Sequence, residues 1–76
     1  MNMTVIIEMS EARQLKFMKK YTCYDSMTEI AESKAVQLTY ITSTSIEIEG
    51  RSIFVFDLID EMNPSSIDIT SMDDML

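Results

Sequence analysis

This sequence contains no histidine and no tryptophan, and only one glycine, one proline and one cysteine. Each shortage closes a route. Without histidine there is no imidazole to shuttle protons near neutral pH, to bind zinc or to accept a phosphoryl group. Gly50 alone cannot build a glycine-rich phosphate loop. Cys23 alone cannot form an internal disulfide or a paired-thiolate metal site, and it suits a reducing compartment. It reads as a small buried hydrophobe, because a thiol nucleophile usually needs a histidine beside it. The longest apolar run, Ile53-Phe54-Val55-Phe56, is far too short to span a membrane. No apolar stretch of signal-peptide length follows Lys19-Lys20, so a cytoplasmic chain is expected.

Bases are scarce as well: 6 Lys and Arg stand against 13 Asp and Glu, for a formal charge of −7. Arg13, Lys16, Lys19 and Lys20 against Glu11 make residues 11–20 net +3, which leaves −10 for the rest. From Asp57 onward there are acids and no base. Nucleic acid is therefore excluded as a partner, since phosphate contacts need clustered cations. Another protein is the expected partner, and a homodimer is the duller alternative. Asp57, Asp60 and Glu61 read as solvated acids rather than a catalytic cluster. With 76 residues, of which 46% are hydrophobic, the chain makes one domain with a thin core. The eight methionines read as filler for that core.

Met3–Met9 is β-rich and predicts a strand. Ser10 then caps a helix over about Glu11–Tyr21, with Glu11 in its first turn. Ala12, Leu15, Met18 and Thr22 share one face of it and Arg13, Lys16 and Lys20 another. A strand through Leu15-Lys16-Phe17 is the alternative. Ser26-Met27-Thr28-Glu29 matches a capping box and predicts a short helix to about Lys34. Val36, Leu38 and Tyr40 alternate as a strand, Thr42–Ser45 is a turn, and Ile46–Glu49 alternates again.

Two readings compete beyond Glu49. Propensity makes a hairpin through Gly50, with Ser52 in the second strand. The other starts a helix at Ser52, whose hydroxyl caps the amide of Phe54 or Val55, and stops it at Asn63-Pro64. Ser66–Thr70 alternates as the last strand, and residues 71–76 read as a frayed acidic tail outside a domain of residues 1–70.

The segment Ile48-Glu49-Gly50-Arg51-Ser52-Ile53-Phe54, followed by Ile59 and by Ile67 and Ile69, resembles the regulatory-serine segment of the histidine-containing phosphocarrier (HPr) family. Asp60 and Pro64 look like a clostridial offshoot of it. The likeness covers about a third of the chain well. Before Ile46 it threads two ways: with Met3–Met9 as first strand, or with a first strand near Leu15–Lys20 and Met27–Lys34 as first helix. It implies an HPr-like α+β open-faced sandwich, split β-α-β-β-α-β, with one antiparallel sheet and helices on one face. It also implies Ser52 as a regulatory serine and Arg51, Ile53 and Phe54 as a partner-binding face. Two departures matter. The phosphocarrier histidine is absent, so no catalytic residue, metal or cofactor is expected. The family's final helix is truncated here, so one apolar sheet surface is expected to be bare unless residues 25–35 or another chain cover it.

The resulting expectation is a non-catalytic regulatory or protein-interaction module, related to the phosphotransferase system but without phosphocarrier activity. The alternative is a small acidic inhibitor, encoded by a phage or mobile element, that blocks a basic nucleic-acid-binding site by charge mimicry. Incubation with phosphoenolpyruvate and the phosphotransferase enzyme I is expected to leave the chain unlabelled. Acid-labile phosphate on it, passed on to a sugar-transport protein, would contradict this.

Overall fold

Apolar residues at alternate positions bury one side of β1 (Asn2–Glu8), with Met3, Val5 and Ile7 inside. The computed structural model describes residues 1–73. After β1 come α1 (Glu11–Met18), α2 (Met27–Ser33), β2 (Val36–Tyr40), β3 (Ser45–Arg51), α3 (Ser52–Met62) and β4 (Ser66–Asp73). The strands form one antiparallel sheet in the order β2-β3-β1-β4. This is a small α+β fold with one open four-stranded antiparallel sheet and three helices, in the split β-α-β order, with α1 and α2 standing where one helix would suffice. The first strand is thus at residues 2–8, and Leu15–Phe17 is helix. The helices lie on one side of the sheet, where Val5, Ile7, Ile46, Ile48, Val55 and Leu58 are fully buried.

Local signals explain most boundaries. Ser10 Oγ accepts from the Arg13 amide at 3.3 Å, and Ser26 Oγ from the Glu29 amide at 3.2 Å. The reciprocal arm of the second cap reaches one residue further back than the usual box, since Glu29 accepts from the Asp25 amide at 2.6 Å. α2 leaves through Ala35, whose φ of 63° is left-handed. α3 ends at Asn63, φ 52°, whose amide donates to Ile59 O at 2.8 Å.

α1 differs from its expected form in length and in rotation. It stops at Met18, and i→i−3 bonds from Lys20 and Tyr21 tighten its end. Tyr21 thereby swings against Phe17, with ring centroids 5.4 Å apart. The buried face is Gln14 and Phe17, while Leu15 is 60% exposed and Ala12 and Thr22 face solvent. The reason is polar. The Gln14 side-chain amide donates to Met9 O at 2.9 Å and to Ser43 O at 2.8 Å, and its oxygen accepts from the Tyr40 hydroxyl at 2.9 Å. One side chain thus ties α1 to the end of β1 and to the β2–β3 turn. These partners exist only once the strands are in place, so hydrophobic spacing along the helix misplaced Ala12, Leu15 and Thr22, while Met18 packs against the core as expected.

Other expectations change too. Gly50 does not turn the chain; β3 runs on through Arg51 with Gly50 inside it. Its φ is not positive, and what it supplies is room: a Cβ there would lie 3.0 Å from Val36 Cγ1 on the paired strand. Cys23 is exposed, because Tyr21 and Tyr24 on either side of it pack inward. The last strand does not fray at Ser71. A bulge at Thr70 shifts the register so that Thr4 faces Ser71 and Met3 faces Met72. Thr70 Oγ1 donates to Thr4 O at 3.1 Å, and pairing continues to Asn2 with Asp73. Residues 74–76 of the expected tail lie outside the described residues.

Gln14→Ala is expected to destabilise the domain by about 2 kcal/mol, because it leaves the inward-facing Met9 carbonyl and Tyr40 hydroxyl without partners. Tyr40→Phe is expected to cost less, about 1 kcal/mol. Urea unfolding of the two variants checks both.

Candidate functional site

The β3–α3 junction is where Ser52 was expected to act. Asn2 pairs with Arg51 at the end of the β1–β3 ladder, and the Ser52 amide continues it by donating to Met1 O at 2.9 Å. Arg51 is therefore the last extended residue and holds the cap position, with φ −65° and ψ 137°. Ser52 is already the first residue of the helix, and no side chain caps it. The hairpin alternative fails, since Ser52–Phe56 is helical, but the capping role fails with it. The ladder dictates where the turn begins, and that ladder cannot be read from the serine. Ser52 stands half-buried beside Arg51.

The expected partner face is split. Ile53 is exposed, at 64%. Phe54 instead turns about a quarter-turn away, packs against the core and lies 5.7 Å under the Arg51 guanidinium. Arg51 is thus attached to Phe54 rather than to Ile53. The residue that does share a flank with Ile53 is Phe56, three positions on, followed by Asp60 at i+7. Phe56 is 45% exposed, and sequence reading missed it as a surface residue because the whole run Ile53–Phe56 is apolar.

The opposite flank of α3 is fastened to the other helices. Glu61 pairs with Lys34 at 2.8 Å and accepts a hydrogen bond from the Tyr21 hydroxyl. The hydrogen bond from Lys34, then that from Tyr21, holds the Glu61 carboxyl below its ordinary value. The Glu61 contact raises Lys34, and burial followed by the bond to Glu61 raises Tyr21. Asp57 and Asp60 stay in solvent as expected, but Glu61 does not belong with them. Arg13 donates to Asn63 O, so the basic helix α1 also closes the C-terminal end of α3.

A further group of exposed apolar residues lies on β4, the edge strand beyond β1. Ile67, Ile69 and Met72 sit opposite Ile7, Val5 and Met3, so they belong to the helix-facing side of the sheet. Yet they are 49%, 47% and 50% exposed, whereas their partners on β1 are buried. Residues 27–33 do not cover them, because α2 packs at the far end of the sheet on β2. Among the described residues an apolar surface is therefore exposed at β4. Sequence alternation identified Ile67 and Ile69; Met72 joins them only through the bulge.

No group of three or more metal-binding side chains occurs among the described residues. No helix among them is long and apolar enough to cross a membrane. Comparison with family models, with curated proteins and with solved structures returns no match.

Two outcomes follow from this geometry. Ser52→Ala is expected to change stability by less than about 0.5 kcal/mol, since the hydroxyl caps nothing; thermal unfolding checks it. Glu61, with its pKa lowered in the fold, adds stability that is present above the ordinary carboxylate range and lost as pH falls through the folded value. Tyr21 and Lys34, both raised, add stability that is lost only above about pH 10. Glu61→Gln should therefore flatten the acid limb of the stability curve between about pH 5 and 3, as read by urea titration at each pH.

Proposed function

We propose that this chain is a non-catalytic protein-interaction module without phosphocarrier activity. The observation that carries this reading is the half-exposed stripe Ile67, Ile69 and Met72 on the helix side of the sheet, together with Ile53 and Phe56 exposed on α3. Grouped apolar residues left exposed on the core side of a sheet are a common mark of an interaction surface. The HPr-like reading adds a regulatory element. It is supported locally by the succession of β3, α3 and β4 around Ser52, with Arg51 beside the serine. A phosphate on Ser52 would bring up to about two negative charges to the first turn of α3, where the helix dipole favours them, one turn from Phe56. It would thus alter the interaction face without disturbing a cap. The interaction reading itself does not depend on the family.

A second reading has one observation in its favour. The outer side of the sheet carries Glu8, Glu47, Glu49 and Asp68, with Glu47 and Asp68 both alongside Ile6. An acidic face of this kind suits mimicry of a phosphate backbone against a basic cleft.

Affinity capture from the source cell separates the two. Ile67→Ser with Ile69→Ser, both half-exposed, is expected to lower the melting temperature without unfolding the domain and to abolish the bound partner. Glu47→Gln, Glu49→Gln and Asp68→Asn together should leave that partner bound. The reverse pattern would favour the acidic mimic, and no specific partner for the wild type would overturn both.

A further inference from the structure

We propose that the surface between α3 and β4 takes a cationic amphipathic helix of another protein, about three turns long. This rests on the interaction reading above and names the partner's chemistry.

The shape comes first. Ile67, Ile69 and Met72 face the layer that the helices occupy, not the free edge of β4. A strand added to that edge would extend the sheet and leave their side chains bare. An element lying beside α3, in the helix layer, covers them. From Ile67 to Met72 the strand rises about 16 Å, which about eleven residues of helix span at 1.5 Å each. Such a helix would meet Phe56 and Ile53 on the flank of α3 that Glu61, Lys34 and Tyr21 leave free.

Charge then selects the occupant. Among residues 52–73 there is no Lys or Arg, while Asp60 follows Ile53 and Phe56 along the same flank of α3, and Asp57 lies next to it. A helix with an apolar stripe and lysine or arginine beside it complements this surface. An anionic membrane would be repelled. A second copy fits poorly in either arrangement. Pairing β4 with its twin brings two acidic surfaces together, including two copies of Asp68. Docking the basic α1 of a second copy offers only Leu15 as an exposed large apolar group on that helix, far less than the area that stable protein contacts bury.

The protein is small enough for residue-level NMR titration. The probe is a synthetic twelve-residue helical peptide with leucines at i, i+3, i+4, i+7 and i+11 and lysines on either side of them. Two controls are its glutamate-for-lysine analogue and a scrambled peptide of the same composition. The lysine peptide is expected to bind one to one and to shift the resonances of Ile53, Phe56, Ile67, Ile69 and Met72. Its binding should weaken at least about threefold between about 50 and 300 mM salt. Ile69→Ser, at a half-exposed position, should weaken it about tenfold while the fold is retained, as the dispersion of the rest of the spectrum shows. Equal binding of the glutamate or scrambled peptide, or shifts confined to other surfaces, would overturn the proposal. So would a wild-type dimer in sedimentation that Ile69→Ser makes monomeric; that result names a second copy as the occupant and leaves the interaction face standing. Failure of every peptide to bind overturns the helical occupant alone, because loss of a captured partner in the Ile67→Ser and Ile69→Ser variant is read separately.

Discussion

β1 is the strand on which everything else is hung. It pairs with β3 on one side and β4 on the other, so both halves of the chain close onto the first eight residues. Its inward residues Met3, Val5 and Ile7 are almost wholly buried. In a domain this small, where the core is thin, one central strand with both edges paired holds the two β-α halves together. The ladder also acts at its ends. By engaging the Ser52 amide it decides where β3 stops and α3 starts, and by bulging at Thr70 it decides that Met72 faces the helix side.

The helix layer is positioned by polar groups rather than by hydrophobic pattern alone. Gln14 links α1 to two backbone carbonyls and a tyrosine, and the Lys34–Glu61–Tyr21 cluster ties α3 to the segment around α1 and α2. A buried amide with every hydrogen-bonding atom engaged specifies one rotation of its helix, since any other would strand those groups. The surface ion pair contributes less energy, being partly solvated. It links the C-terminal end of α2 to the last turn of α3.

This fastening and the bare stripe are two aspects of one arrangement. α2 packs on β2 and α3 on β3 and β1, while the inward residues of the fourth strand stay half-exposed. The apolar side of β4 is thus a by-product of how the layer is fastened, and it is surrounded by acids because the second half of the chain has no base after Arg51. Apolar surface gives such a face its affinity, and charge its choice of partner.

Much of this was determined by the sequence itself. Alternation in Met3–Met9 and in Val36–Tyr40 marked strands, Ser10 and Ser26 marked helix starts, and Asn63-Pro64 marked a stop, because these signals act through neighbouring backbone atoms. The lack of histidine and the acidity of the second half are likewise properties of composition. Other features depend on atoms distant along the chain. Leu15 is outside and Gln14 inside because Met9, Ser43 and Tyr40 converge on the amide. Ser52 lost its cap to a hydrogen bond with Met1. Gly50 serves clearance from Val36, and Ile53 and Phe54 part company because consecutive helical residues diverge once the core has chosen Val55 and Leu58. Whether an apolar strand residue is covered is a matter of which helix lies above it, and that was decided only when the layers came together.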